Sequence, residues 1–143
     1  MIVGYTTGVF DLFHVGHLRL LQRSKEQCDR LIVGVSTDEL VKSKKKVPLV
    51  APFAERFEIV AALKCVDEVV AQHSYDKMSS WFALKFNRMF VGSDWRGTAQ
   101  WLEYEKQFSS VGVEIVYFDY TPNISSTKLR KIVERTYKDL LQP

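Results

Sequence analysis

Short apolar segments alternate with longer amphipathic segments along the chain. Five apolar runs have the length and β-branched content of strands, at residues 1–5, 30–36, 66–70, 88–91 and 113–118. Between and after them, apolar residues recur at helical spacing, which predicts helices over residues 15–26, 53–64, 74–86, 98–108 and 124 to about 140. Strands that alternate with helices are typical of a parallel sheet. The pattern therefore predicts an α/β fold: a doubly wound, Rossmann-like sheet of five parallel strands with helices on both faces.

The loops of this fold indicate where a ligand would bind. Those that follow the first, second, fourth and fifth predicted strands would all open at the carboxyl edge of the sheet, where doubly wound folds bind ligands. The polar segment 37–52 is rich in lysine and contains Pro48 and Pro52, so we expect a long loop or a short irregular helix. Residues 120–123 predict a turn before the last helix.

Length and composition narrow the class of protein. A chain of 143 residues with 46% hydrophobic residues fits one compact domain spanning residues 1–143. A net charge of +3, and a lysine run without an aromatic platform, do not predict nucleic-acid binding. Cys28 and Cys65 lack the spacing of a zinc site. Since there is no basic leader and no apolar run near the roughly 20 residues of a membrane span, we expect a cytoplasmic protein without a membrane partner.

The candidate chemistry is concentrated in residues 6–17, where the first strand turns directly into a helix. His14 and His17 lie three residues apart at the helix start, so both side chains can project from one side. Gly16 between them has no Cβ where a phosphate could approach. Such a turn aims backbone N–H groups and the positive end of the helix dipole at one point. This stretch therefore indicates a phosphate site.

The sequence TGVFDLFHVGH at residues 7–17 resembles the (T)GxFDxxHxGH signature of the cytidylyltransferase-like nucleotidyltransferases. The order of further motifs, at residues 36–39, 42–46, 55–56, 66–69, 92–95 and 124–128, is similar to that of the bacterial glycerol-3-phosphate cytidylyltransferases. The resemblance implies transfer of CMP from CTP, accompanied by Mg²⁺, to a phosphorylated small alcohol such as glycerol 3-phosphate. It also implies a homodimer and a role in cell-wall or surface-polysaccharide assembly. There are three alternatives to this function. The acceptor could be another phosphorylated alcohol, the donor could be ATP, or the chain could be a weakly active nucleotide-binding protein.

The resemblance also implies roles for individual residues. His14 and His17 would donate hydrogen bonds to the nucleotide phosphates in the transition state, and Lys44 would close over those phosphates. The remaining residues assigned to the nucleotide are Thr7, Gly8, Val9, Phe10, Asp11, Gly16, Asp38, Lys46, Arg56, Lys64, Gly92, Asp94, Trp95, Tyr120, Thr121, Ile124, Ser125, Ser126 and Thr127.

Four of these residues have an alternative, purely structural interpretation. Asp11 either caps the helix that follows it or lies close to the Mg²⁺ of the nucleotide. Arg56 is as consistent with a surface arginine as with a ligand contact. Phe10 either contacts phosphate through its backbone N–H or belongs to the core. Trp95 either forms a pocket wall or belongs to the core.

Three positions depart from the pattern that the resemblance implies, and one of them is Asn123, which stands where the family has a glycine. Lys64 and Tyr120 stand where the family usually has an arginine, and lysine keeps the charge but not the planar guanidinium fork. The loss of the arginine at Tyr120 implies a weaker CTP site, a changed substrate, or compensation by Arg96 or Lys128.

Overall fold

The sheet is the element that positions everything else. The computed structural model describes residues 1–44, 48–119 and 125–142. Within them, five strands form one sheet: β1 (Val3–Gly8), β2 (Arg30–Ser36), β3 (Glu68–Gln72), β4 (Arg88–Gly92) and β5 (Glu114–Phe118). All neighbours are parallel, in the order β3-β2-β1-β4-β5. The predicted α/β fold is confirmed, and the reversal of strand order at β1 opens a crevice between the carboxyl ends of β1 and β4.

Six helices are described with this sheet: α1 (Val15–Glu26), α2 (Asp38–Lys44), α3 (Phe53–Ala61), α4 (Lys77–Leu84), α5 (Ala99–Ser110) and α6 (Ser126–Leu141). Helix α2 occupies part of the segment that was expected to be a loop or a short irregular helix. None of the six is long and apolar enough to cross a lipid bilayer.

The main difference from the predicted elements concerns β1. The strand begins two residues later than predicted and continues through Gly8, because its pairing with β2 runs from Val3 opposite Arg30 to Gly8 opposite Val35. Thr7 and Gly8 therefore belong to the end of the strand and not to the turn.

The core lies on both faces of the sheet. Along β2, Leu31, Val33 and Val35 pack in a cluster with Leu21 of α1, while Ile32 packs on the other face with Trp101 of α5. Alternate side chains of a strand point to opposite faces, so an apolar run such as β2 requires a hydrophobic layer on each side. The helices fill these layers, and the carboxyl edge of the sheet is left open for a ligand.

Candidate active site

A cavity of about 500 Å³ lies at the carboxyl edge of the sheet, over the ends of β1 and β4. Its volume is in the range of small-molecule sites. Among the described residues that line it, the charged side chains are the cations Arg23, Lys44 and Lys77 and the single carboxylate of Asp119. This excess of positive charge favours an anionic ligand.

His14 and His17 form a reciprocal cap at the start of α1. The Nδ1 atom of His14 accepts a hydrogen bond from the backbone N–H of Gly16 at 3.0 Å, and the Nδ1 atom of His17 accepts one from the backbone N–H of His14 at 3.2 Å. The two rings stack with their centroids 3.9 Å apart. Because each Nδ1 is an acceptor, each neutral ring carries its proton on Nε2. Both residues line the cavity, so the motif presents two N–H donors to a ligand.

These two imidazoles are neutral at pH 7. Burial lowers the pKa of His17 to about 4, and the neighbouring His14 contributes in the same direction. Burial also lowers the pKa of His14 below its ordinary value. Neutral rings with fixed tautomers are suited to donating hydrogen bonds and not to acting as acids near pH 7. This geometry is consistent with the role that the sequence assigned to them, which stays a prediction.

Phe10 folds back under the end of β1 into the core. Its backbone has a φ of 56°, in the left-handed region that side chains rarely adopt, and its ring is buried. A Cβ on Gly8 would lie 2.9 Å from the Cζ atom of Phe10, so the glycine makes room for this ring. The ring packs edge-on against His17, with the centroids 5.5 Å apart. The side chain of Phe10 is therefore core, and it supports a histidine of the motif.

Asp11 holds three segments of the chain together. Its carboxylate is 3% exposed and accepts hydrogen bonds from the backbone N–H groups of Val50 and Ala51, both at 2.9 Å, and from Arg130 of α6 at 2.7 Å. Burial alone would raise the pKa of Asp11, but these donors outweigh it and lower the pKa. The prediction that Asp11 caps α1 is wrong, because His14 occupies that position.

Asp11 does not fit the alternative role of a Mg²⁺ ligand. Both of its oxygens already accept hydrogen bonds inside the protein. In the described part of the chain, no group of three His, Cys, Asp or Glu side chains is placed to hold a metal ion. The described residues therefore supply no protein cage for Mg²⁺.

Arg56 is a buried structural residue, which corrects both interpretations offered for it. Its guanidinium is fully buried and donates hydrogen bonds to the backbone oxygens of Val9, Ser36 and Ala51 and to the carboxylate of Asp38. Asp38 also accepts from the N–H of Phe53, and the hydrogen bond from Arg56 is the main cause of its lowered pKa. Neither side chain lines the cavity, and in this structure both brace the loops around it.

The start of α6 forms a further part of the cavity wall, next to the loop that precedes α1. Ser125 caps this helix by accepting from the N–H of Lys128 at 3.0 Å, and Ser126 donates to the backbone oxygen of Asp11 at 2.7 Å. Both serines line the cavity, whereas Thr127 is exposed outside it. The predicted contacts of Lys46, Tyr120, Thr121 and Ile124 lie outside the described residues.

The segment after β4 forms another wall. Gly92 and Trp95 line the cavity together with Thr7, Gly8, Val9 and Gly16, and Trp95 is 49% exposed. Trp95 is therefore a wall residue and not core. Asp94 is exposed beside it and does not line the cavity. The assignment of Lys64 to the nucleotide is corrected by its position. Lys64 is exposed in the turn before β3, at the amino ends of the strands and on the opposite edge of the sheet from the cavity.

Two cations of the cavity were missed by sequence reasoning. Lys77 begins α4, and its Nζ atom lies 3.3 Å from the Oγ1 atom of Thr7. The loop after β3, which leads to Lys77, opens at the same edge of the sheet as the loops after the other four strands. Arg23 lies on α1, six residues after His17. Its guanidinium donates a hydrogen bond to the backbone oxygen of Asp119 at 3.1 Å.

The sequence and the fold of this chain are also similar to those of known proteins. Residues 5–132 match the family model described as cytidylyltransferase-like. A glycerol-3-phosphate cytidylyltransferase of Bacillus spizizenii is 35% identical over 88% of this chain and 92% of its own length. An FAD synthase of Pyrococcus horikoshii is 33% identical over 90% of this chain and 87% of its own length. The solved structure of a lipopolysaccharide core biosynthesis protein from Thermoplasma volcanium superposes with a TM-score of 0.70 at 27% identity, covering 85% of this chain and 97% of that one.

Replacing Arg56 with Met should lower the free energy of unfolding by about 3 kcal/mol, because the change leaves the oxygens of Val9, Ser36 and Ala51 without their buried donor. Urea unfolding measures this loss. Arg30→Met is the matched control: its guanidinium pairs with Glu68 but is half exposed, so we expect a change below about 1 kcal/mol. Equal losses in the two variants would contradict the bracing role of Arg56.

Stability should fall between pH 7 and pH 5 because of the histidine pair. In that range His17 binds a proton in the unfolded chain, where its pKa is the ordinary 6.5, but stays unprotonated in the folded protein. Acidification therefore favours unfolding until the pH reaches the folded pKa of about 4. Protonation of Asp11 and Asp38 reduces stability only at lower pH, since the pKa of each carboxyl lies below its ordinary value of 3.8.

The test compares melting temperatures of the wild type and His17→Gln at pH 7 and pH 5. Glutamine at this position of a helix can still accept the N–H of His14 but does not titrate. We expect the variant to lose less of its melting temperature on acidification than the wild type. An equal loss in both proteins would show that His17 is not the group responsible.

Proposed function

Because the chain belongs to the cytidylyltransferase-like family of nucleotidyltransferases, we propose that it transfers CMP from CTP to a polyol phosphate, most simply glycerol 3-phosphate. The products are a CDP-alcohol and pyrophosphate. The observation that carries the proposal is the pair of neutral imidazoles, each with its Nε2–H directed away from the helix cap, in a cavity lined by three cations. The cytidylyltransferase relative, which the chain matches over most of its length, supports the choice of CTP.

The reaction places simple demands on the protein. An oxygen of the acceptor phosphate, already ionised at neutral pH, attacks the α-phosphorus of CTP. The bond from that phosphorus to the bridging oxygen breaks, and pyrophosphate leaves with the electron pair. No general base is required, so the protein must hold two polyanions in line and stabilise charge on the phosphorus oxygens.

The described residues supply these two functions from opposite walls. His14 and His17 donate hydrogen bonds to phosphate oxygens whose charge grows in the transition state. At the start of α6, Ser125 offers its hydroxyl proton and Ser126 its backbone N–H group to the terminal phosphates, which leave as pyrophosphate. Trp95 provides an exposed aromatic surface for the base on the wall that follows β4. Lys44, at the end of α2, adds positive charge at the cavity.

Mg²⁺ is proposed to enter the site with CTP. Oxygens of the triphosphate and water would bind the ion, as is usual for Mg²⁺, and it would neutralise part of the phosphate charge. No step is assigned to a protein ligand of Mg²⁺, because the described residues do not form a cage for it.

A second candidate is transfer of AMP from ATP to FMN. The FAD synthase relative, 33% identical over 87% of its length, supports this reading of the same cavity. The aromatic wall of Trp95, Trp101 and Tyr104 also suits a large planar acceptor. Both candidates share the attack of a phosphate monoester on an α-phosphorus.

Pyrophosphate release distinguishes the candidates. We expect turnover with CTP and glycerol 3-phosphate that exceeds turnover with ATP and FMN by at least about a hundredfold in kcat/KM, a difference of roughly 2.7 kcal/mol. The panel combines CTP or ATP with glycerol 3-phosphate, other polyol phosphates, amino-alcohol phosphates and FMN. Turnover with ATP alone would reject the cytidylyltransferase proposal, and binding of CTP without product from any acceptor would favour the weakly active nucleotide-binding protein.

The histidine pair can be tested without losing the helix cap. Asparagine at position 14 and glutamine at position 17 keep the acceptor that each cap bond needs but remove the Nε2–H donor. We therefore expect His14→Asn and His17→Gln each to lower kcat by about a hundredfold or more while the fold is kept. The control is His73→Gln, which replaces an exposed histidine outside the cavity. If both variants stay within a few-fold of the control, the histidines do not stabilise the transition state.

A further inference from the structure

The second half of α6 projects from the domain. The first half is fixed beside the cavity, because Ser126 donates to the backbone oxygen of Asp11 and Arg130 pairs with the carboxylate of Asp11. From residue 131 to residue 142 every residue is exposed. In the part of the chain that the structure describes, no ion pair joins this projecting half to another element. Its helical turns therefore lack a layer to pack against.

The projecting half has one apolar face and one charged face. Successive residues of an α-helix are rotated by about 100°, which separates the two sets of side chains along this segment. The apolar face consists of Ile132, Val133, Thr136, Tyr137, Leu140 and Leu141. Its large side chains are well exposed, from 51% for Ile132 to 78% for Leu140. Thr136 does not interrupt the face, since its hydroxyl donates to the backbone oxygen of Ile132 at 2.9 Å and is satisfied within the helix.

A face of this kind needs a partner. Helices shorter than about 12–15 residues are marginal in water, and packing of the apolar face supplies most of their stability in proteins. Monomeric proteins rarely leave a contiguous apolar patch of several hundred Å² exposed. The match to the family model ends at residue 132, so nearly all of this face lies beyond the region that the family shares.

The charges beside the apolar face disfavour a lipid surface as the partner. A helix that lies on an anionic bilayer carries cations at the borders of its apolar face, where they reach the headgroups. Here Glu134 lies at one border and Asp139 at the other, whereas Lys131 lies near the middle of the charged face. Carboxylates at both borders would be repelled by anionic headgroups.

The same charges are complementary to a second copy of the helix in antiparallel orientation. With a two-fold axis between positions 136 and 137, Val133 of each copy lies opposite Leu140 of the other. On one flank Glu134 then approaches Lys138 of the other copy. On the other flank Arg135 approaches Asp139 of the other copy. Two-fold symmetry makes each of these contacts twice.

We propose that residues 131–141 of α6 form an interface with a second copy of this chain, packed antiparallel in this register. The pair of helices buries roughly 1,000 Å² in total, which is the lower limit for a specific interface. The interface is therefore reversible, with a Kd on the order of 10 μM. Because Ser125 and Ser126 at the start of the same helix line the cavity, the second copy also steadies that wall.

The first test compares Leu140→Glu with the matched control Gln142→Glu by sedimentation equilibrium at about 100 μM protein. Both variants add one negative charge near the end of α6, but only Leu140 lies on the apolar face. Leu140 is exposed, so its replacement leaves the domain folded. We expect the wild type and the control to have at least twice the mass of Leu140→Glu, whose Kd rises at least about tenfold.

A charge exchange tests the register. Glu134→Lys alone places like charges opposite each other twice, so the Kd should rise by about tenfold. Adding Lys138→Glu restores opposite charges, and we expect the double variant to return to within about threefold of the wild type. Failure of the second change to restore assembly would overturn the antiparallel register.

Two results would overturn the interface itself. One is a wild type that stays monomeric up to about 200 μM, well above the expected Kd; if that monomer sedimented with phosphatidylglycerol vesicles, the apolar face would belong to a lipid surface instead. The other is an assembled wild type whose mass equals that of Leu140→Glu, because the copies would then meet through another surface. Neither measurement uses a substrate, so the outcome is independent of the proposed function.

Discussion

The buried guanidinium of Arg56 is the interaction on which the shape of the site depends. It gathers backbone oxygens from the loop after β1, the end of β2 and the segment before α3, and it pairs with Asp38 at the start of α2. Asp11 extends this bracing to α6 through Arg130. Loops that carry no regular hydrogen bonds of their own are thereby fixed against the sheet, so the groups that line the cavity are positioned before a ligand arrives.

The cavity combines two kinds of electrostatic element. The histidines are kept neutral by burial and by amide donors at Nδ1, so they can serve as fixed dipoles at phosphorus. On the other wall, neither Lys44 nor Lys77 pairs with a carboxylate among the described residues, and burial lowers the pKa of Lys77 to about 8. Such a site is stabilised by an anionic ligand, and binding and stability are linked through the same groups.

The sequence predicted what depends on local pattern. The five strands and their parallel arrangement follow from periodicity, and the helix start that carries His14 and His17 follows from a short-range motif. The pattern could not show that Arg56 turns inward, because its partners are backbone oxygens of segments distant in sequence. Lys64 was misplaced for a related reason: a motif fixes the order of residues but not the edge of the sheet on which they lie. Lys77 was missed because its neighbours, Thr7 and Lys44, come together only in the fold.

The contacts of Asp11 also set the order in which the site can form. Its backbone oxygen accepts from Ser126, and its carboxylate accepts from Arg130, more than a hundred residues later in the chain. During synthesis, β1 and α1 emerge from the ribosome long before α6, so the histidine motif exists for most of translation without its opposite wall. The cavity closes only after residue 130 has left the exit tunnel. A nascent chain that lacks α6 would therefore lack one wall of the cavity.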